Sequence, residues 1–186
     1  MLCGWLALLL PACTLDAGYG TARSAPVLGG AVQVGIPPGY CIDTKASRAS
    51  KDSAVILMGR CTDAVQAKPA LVTVSIGPSG SAGVMTAGGP ALAAFFKTQQ
   101  GRALLSRDGR ASDVRILTAL TAGDAFLLRL TDRAVGDYWR AAIGIKGRLV
   151  TISATGTEAL SLAPDDGRAL VDATLKAMQR ANGAAR

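Results

Sequence analysis

The chain has 186 residues, 49% of them hydrophobic and 18% charged, which excludes a disordered protein and leaves one globular domain as the default. It contains no histidine, so Ser-His-Asp and Cys-His catalysis are excluded. The net charge of +7 comes from Lys and Arg that recur singly; a nucleic-acid surface calls for a basic stripe interleaved with aromatics, which is missing, whereas an anionic membrane or cell-wall surface suits such a balance.

The first stretch, "MLCGWLALLLPAC", is an apolar run from Met1 to Ala12 without a charged side chain. It is too short to span a bilayer, which takes about 20 apolar residues, but it has the length of a secretory apolar region followed by small residues. "LPAC" resembles the lipobox of bacterial lipoproteins, with Leu10 three positions before Cys13; Pro11 departs from the small residue preferred there. A second departure is the absence of a basic segment before the run, which leads us to expect a start codon upstream. The resemblance implies that residues 1–12 are a signal peptide and that Cys13 carries diacylglycerol and anchors the protein to a membrane. With Thr14 and not aspartate after the cysteine, it implies the outer membrane. Two other readings stay open: an ordinary signal peptide cut after Ala12 or a little later, and a buried first strand of a cytoplasmic protein.

Residues 13–31, rich in Gly, Ala, Ser and Thr, are expected to be a flexible tether, and residues 32–186 a single domain. "AVQVGI" alternates and stops at Pro37-Pro38-Gly39, where Pro-Gly predicts a type II turn. Cys41 and Cys61 follow. With Cys3 lost in the signal and Cys13 acylated, they form an even pair in an oxidising compartment. Zinc wants about four closely spaced ligands and a redox motif wants C-x-x-C; neither is found, so no metal is expected. We read a structural disulfide restraining the polar loop "DTKASRASKDS"; two free buried thiols are the alternative.

"AVILMGRC" and "ALVTVSI" read as strands, and "GPSGSAGVMTAGG" (77–89) as a loop without any phosphate-binding glycine pattern. "PALAAFFKTQQGRALLSRDG" (90–109) changes to helical spacing, one helix broken at Gly101 or two short ones, with Phe95 and Phe96 in the core. Around Ala122-Gly123-Asp124 the period returns to two, a hairpin with Val114, Ile116 and Leu120 on one face. A second hairpin turns at Lys146-Gly147. Its register pairs Ile145 with Arg148, Ile143 with Val150, Ala141 with Ile152 and Trp139 with Ala154, all on one side of the pleat. Tyr138, Arg140, Thr151 and Ser153 lie on the other side, and Tyr138 with Arg140 would offer a binding face for an anionic or aromatic partner if no helix covers it. From Pro164 a long helix carries Asp165 and Asp166 at its positive end and Val171, Leu175 and Met178 along one stripe, ending at Asn182-Gly183.

Strands segregated from helices indicate an α+β fold, helices packed on a mostly antiparallel sheet. The element order resembles the PsbP-like fold of DcrB-like bacterial lipoproteins. "GYCID", "YWRA" and "GRLVT" are similar to small envelope proteins of alphaproteobacteria, a resemblance that brings no catalytic residues. Carboxylate-pair hydrolysis could draw only on Asp132 with Asp137, or on Asp165 with Asp166, and these fit turn and helix-start roles better. No catalytic residue and no cofactor is therefore assigned. The reading is a non-catalytic envelope lipoprotein that binds or assists a partner on the periplasmic side. The alternatives are a soluble periplasmic binding module and, third, a hydrolase using carboxylates.

Overall fold

A computed structural model of the chain describes residues 23–183; the expected signal segment, Cys13 and the first part of the expected tether lie outside these residues. The domain is α+β, with nine strands and three α-helices in the described residues. Seven strands form one antiparallel sheet: β3 (Tyr40–Ala49), β4 (Ala54–Arg60), β5 (Leu71–Ile76), β6 (Val114–Ala122), β7 (Ala125–Asp132), β8 (Gly136–Ile145) and β9 (Arg148–Thr155). Their order is β3-β4-β5-β9-β8-β7-β6. Both edges are therefore outer strands of hairpins, β3 on one side and β6 on the other.

The tether expectation is corrected at its C-terminal end. Ser24–Val27 forms β1, paired antiparallel with β2 (Val32–Gly35) from Ser24↔Gly35 to Val27↔Val32. Pro26 obscured it, since proline is tolerated only where a strand's N–H is not needed by the ladder. Pro38 and Gly39 do form the expected turn: Gly39 has φ +80° and the Tyr40 N–H donates to the Pro37 carbonyl at 3.2 Å.

The "polar loop" between the cysteines is mostly strand, a second correction. β3 runs on to Ala49, with a bulge between Asp43 and Arg48 where it pairs with β4. An edge strand with polar side chains on both faces shows no alternation, so its period is invisible. The disulfide between Cys41 and Cys61 is present, with Cα atoms 5.2 Å apart. Because Tyr40 pairs with Arg60 and Cys41 with Gly59, it ties the open end of this hairpin.

One face of the sheet carries the main core. Val72, Val74, Ile76, Ile143, Val150 and Ile152 are essentially solvent-free there, packed under α3 (Pro164–Ala181) and β2. α3 begins with Pro164 in its first turn, and Val171, Leu175 and Met178 are buried as the stripe required. Gly35 permits β2 to touch α3 directly: a Cβ there would lie 2.1 Å from the Ala177 carbonyl carbon. Its N–H donates to the Met178 sulfur at 3.0 Å. Asn182, read only as a stop signal, also joins the two elements. Its side chain accepts from the Gln33 N–H at 2.9 Å and donates to the Gln33 carbonyl at 2.7 Å.

The opposite face is covered over half its width. α1 (Gly88–Lys97) and α2 (Gln99–Leu105) lie beside β6, and Leu92, Leu105, Val114, Phe126, Leu128, Leu130 and Tyr138 form a second core. The helix break falls at Thr98, not Gly101. Thr98 is extended, and its hydroxyl accepts from the Gly101 N–H at 3.0 Å, capping α2. Gly101 is needed for another reason, since a Cβ there would meet the Phe95 carbonyl oxygen at 2.2 Å. The segment 77–89 is not all loop; Ser81–Ala87 forms a 3-10 helix against β9 and β8.

The β6–β7 turn is the two residues Gly123-Asp124, with Ala122 paired to Ala125. A shift between Ile116 and Thr118 reverses the facing of the rest of β6. Val114 and Ile116 join the second core, while Leu120 joins the main one, which corrects the single face expected for the three.

Candidate functional site

The β8–β9 hairpin has the register expected, from Trp139↔Ala154 through Ile143↔Val150 to Ile145↔Arg148. Its two-residue turn has φ +50° at Lys146 and +74° at Gly147, the type I′ geometry whose twist matches the strands. This turn fixes which side chains reach the α1–α2 face. Directly opposed residues share a face, so Arg140, Ser153, Thr73, Leu57 and Asp43 form one row across five strands. Ala142, Thr151, Ser75, Val55 and Arg48 form the next.

Half of this face, over β3, β4 and β5, has no helix packed on it among the described residues. It shows hydroxyls from Thr73 and Ser75 beside partly exposed Leu57 and Val55. Arg140 stands where the open half meets the covered half. Four other arginines are paired with carboxylates: Arg129 with Asp137, Arg148 with Asp52, Arg168 with Asp172, Arg110 with Asp113. Arg140 has no ion pair among the described residues, and its Nε is enclosed without a hydrogen-bond partner. Its guanidinium lies 5.7 Å from the centre of the Tyr138 ring. Burial raises the Tyr138 hydroxyl above its ordinary pKa, and the Arg140 charge opposes that shift.

The expected binding face is therefore corrected for one of its two residues. Tyr138 is 5% exposed, held in the second core, so it presents no contact surface. Arg140 is half-buried at the margin of that core.

Under α1, α2 and the 3-10 segment a cleft of about 240 Å³ reaches Arg140. Apolar groups line it, including Phe95, Phe96, Leu128 and Leu149, and Arg140 is its one charged residue. Leu104, at its mouth, is 68% exposed. A larger hollow of about 810 Å³ lies over α2 between Gln99 and Arg110, but it is shallow, and Arg110 is already bound to Asp108 and Asp113.

Three of the four carboxylates considered for hydrolysis are engaged. Asp132 is buried and accepts from the Ala134 N–H at 2.7 Å and the Arg107 N–H at 3.1 Å, which organises the β7–β8 turn. Asp137 takes two hydrogen bonds from Arg129 at 3.1 and 2.8 Å. Asp132 opposes Gly136 while Asp137 opposes Thr131, so the two point to opposite faces of the sheet and do not converge. Asp166 lies 3.5 Å from Lys68 and Asp165 stands beside it in the first turn of α3. Among the described residues no three His, Cys, Asp or Glu are grouped to hold a metal, and no helix is long and apolar enough to cross a membrane.

Sequence reasoning located Arg140 on this face but missed the cleft. The cleft depends on where α1 and α2 settle, and the one local signal was Leu104 beside Leu105, of which only Leu105 is buried. No family model matches the chain, and no curated protein matches it.

Proposed function

We propose that the protein is a non-catalytic cell-envelope lipoprotein, anchored through Cys13, that binds a partner on the periplasmic side through the sheet face bordered by Arg140. The observation that carries the binding part is an unpaired, half-buried guanidinium beside an open ladder of hydroxyls. A half-buried charge without a counterion costs solvation energy that a partner's anion would recover. The export and anchor part is supported by the order of residues at "LPAC" and by a cross-strand disulfide, which persists in oxidising compartments. The order of elements, like that of DcrB-like lipoproteins, agrees with this placement.

The test is made in the native host with a photo-crosslinking amino acid at Thr73, and at Lys176 on the exposed side of α3 as control. A discrete adduct in the membrane fraction is expected from Thr73 alone, lost with Arg140→Glu and moved to the soluble fraction with Cys13→Ser. The absence of an adduct from Thr73, or one indifferent to Arg140, overturns the binding face.

A soluble binding module for a small ligand is the second reading. The apolar cleft that has Arg140 in its lining favours it.

A further inference from the structure

The cleft beneath α1 and α2 is neither a gap in the core nor a generic apolar groove. Its walls come from Val84, Phe95, Leu104, Phe126, Leu128 and Leu149, and two of these, Val84 and Leu104, are 48% and 68% exposed. Large aliphatic side chains left this open at the mouth of a cavity mark a place that something apolar enters. Among the described residues the one charge in its lining is Arg140, with Thr151 the accompanying hydroxyl. The guanidinium has no carboxylate partner among the described residues, and an enclosed Nε–H without an acceptor carries a desolvation cost that a bound anion would relieve.

We infer that this cleft binds a single-chain carboxylate, of fatty-acid type, with its alkyl chain among the apolar walls and its head on Arg140. Three features select that class. The walls are aliphatic and aromatic, so the body of the ligand is hydrocarbon. One guanidinium offers one positive charge in a fork that fits a carboxylate with two parallel hydrogen bonds, and no second cation among the described residues lines the cleft to balance a dianion. The volume of about 240 Å³ lies just under the range of sites for drug-sized molecules, so it takes one short alkyl segment and excludes a two-chain lipid. The inference shares Arg140 with the partner-binding reading above, but it needs neither the open half-face nor the anchor.

The experiment is an NMR titration of the full chain carrying Cys13→Ser, which has no acyl chains of its own and needs no detergent. Octanoate, octan-1-ol, octyl phosphate and acetate are the probes. Octanoate is expected to shift the Arg140 Nε–H signal and the Leu104 and Leu128 methyl signals saturably. Octan-1-ol should shift the methyls with weaker affinity, and acetate neither. Arg140→Gln should weaken octanoate about tenfold or more, as for the loss of a charged hydrogen-bond pair, and leave octan-1-ol unchanged. Leu104→Ser, on the surface and harmless to folding, should weaken both. Equal affinity for octanoate and octan-1-ol, indifference to Arg140→Gln, tighter binding of octyl phosphate, acetate binding as well as octanoate, or no saturable shift would each overturn the assignment. If octanoate fails while the Thr73 adduct persists, the ligand class is wrong and the partner face stands; the reverse result removes the face and keeps the cleft.

Discussion

Alanine at Gly35 would set a Cβ 2.1 Å from backbone carbon of α3, and neither partner has a flexible tip that could yield. Gly35→Ala is expected to cost about 2–4 kcal/mol, the range of severe overpacking, read as a lower urea midpoint. Asp52 is the residue to probe by pH. The Arg148 guanidinium, 2.6 Å away, and then the Ser79 N–H hold its carboxyl below the ordinary value of 3.8. The unfolded chain therefore takes up the proton first on acidification. This contribution is present above about pH 4 and fades as pH falls through the lower folded pKa. Asp52→Asn should flatten the fall in Tm between about pH 5 and pH 2; an unchanged slope would show that the pair adds nothing. Neither residue announced itself in sequence. Gly35 reads as any glycine ending a strand, and Asp52 meets Arg148 across a separation of 96 residues.

At the scale of elements, legibility followed burial. The β8–β9 hairpin was readable to the residue because one side of each strand faces the main core, so a one-residue slip would have exposed Ile143 and Ile152. β3 was not, because an edge strand bearing Lys45, Ser47 and Arg48 is polar on both sides. The facing of Leu120 failed on the bulge near Leu117, whose effect is a backbone irregularity that composition does not encode. Two experiments test these elements. In the β8–β9 turn Lys146 sits at φ +50°, a region that asparagine enters at less cost. Lys146→Asn is expected to raise stability by about 0.5–1 kcal/mol, seen as a higher melting temperature with the register intact. The disulfide closes a separation of 20 residues, worth about 3 kcal/mol in the chain-entropy model. The double variant Cys41→Ser, Cys61→Ser should unfold at correspondingly lower denaturant, whereas an equal midpoint would reduce the bond to an ornament on a hairpin already held by its ladder.

For the molecule as a whole, the sheet separates two tasks. Its α3 face is closed over by a helix, by β2 and by glycine-permitted close contacts, and it supplies the main core. Among the described residues its other face is half covered and half open, and Arg140, without an ion pair there, lies on the seam. The α+β class was legible because strands and helices are segregated along the chain, and so was the side of the sheet on which Arg140 lies. Which part of that side the helices cover was not, because the position of α1 and α2 is set by packing among Phe96, Phe126 and Leu92 rather than by local pattern. The central claim is that this domain works outside the cytoplasm, held by a lipid at Cys13 and stapled at Cys41–Cys61. The measurement that tests it most directly is the intact mass of the protein recovered from its native host, with and without reduction. The account predicts a chain beginning at Cys13, carrying diacylglycerol, that gains two hydrogens on reduction. A mass that still includes Met1, with no modification and no change on reduction, would contradict it.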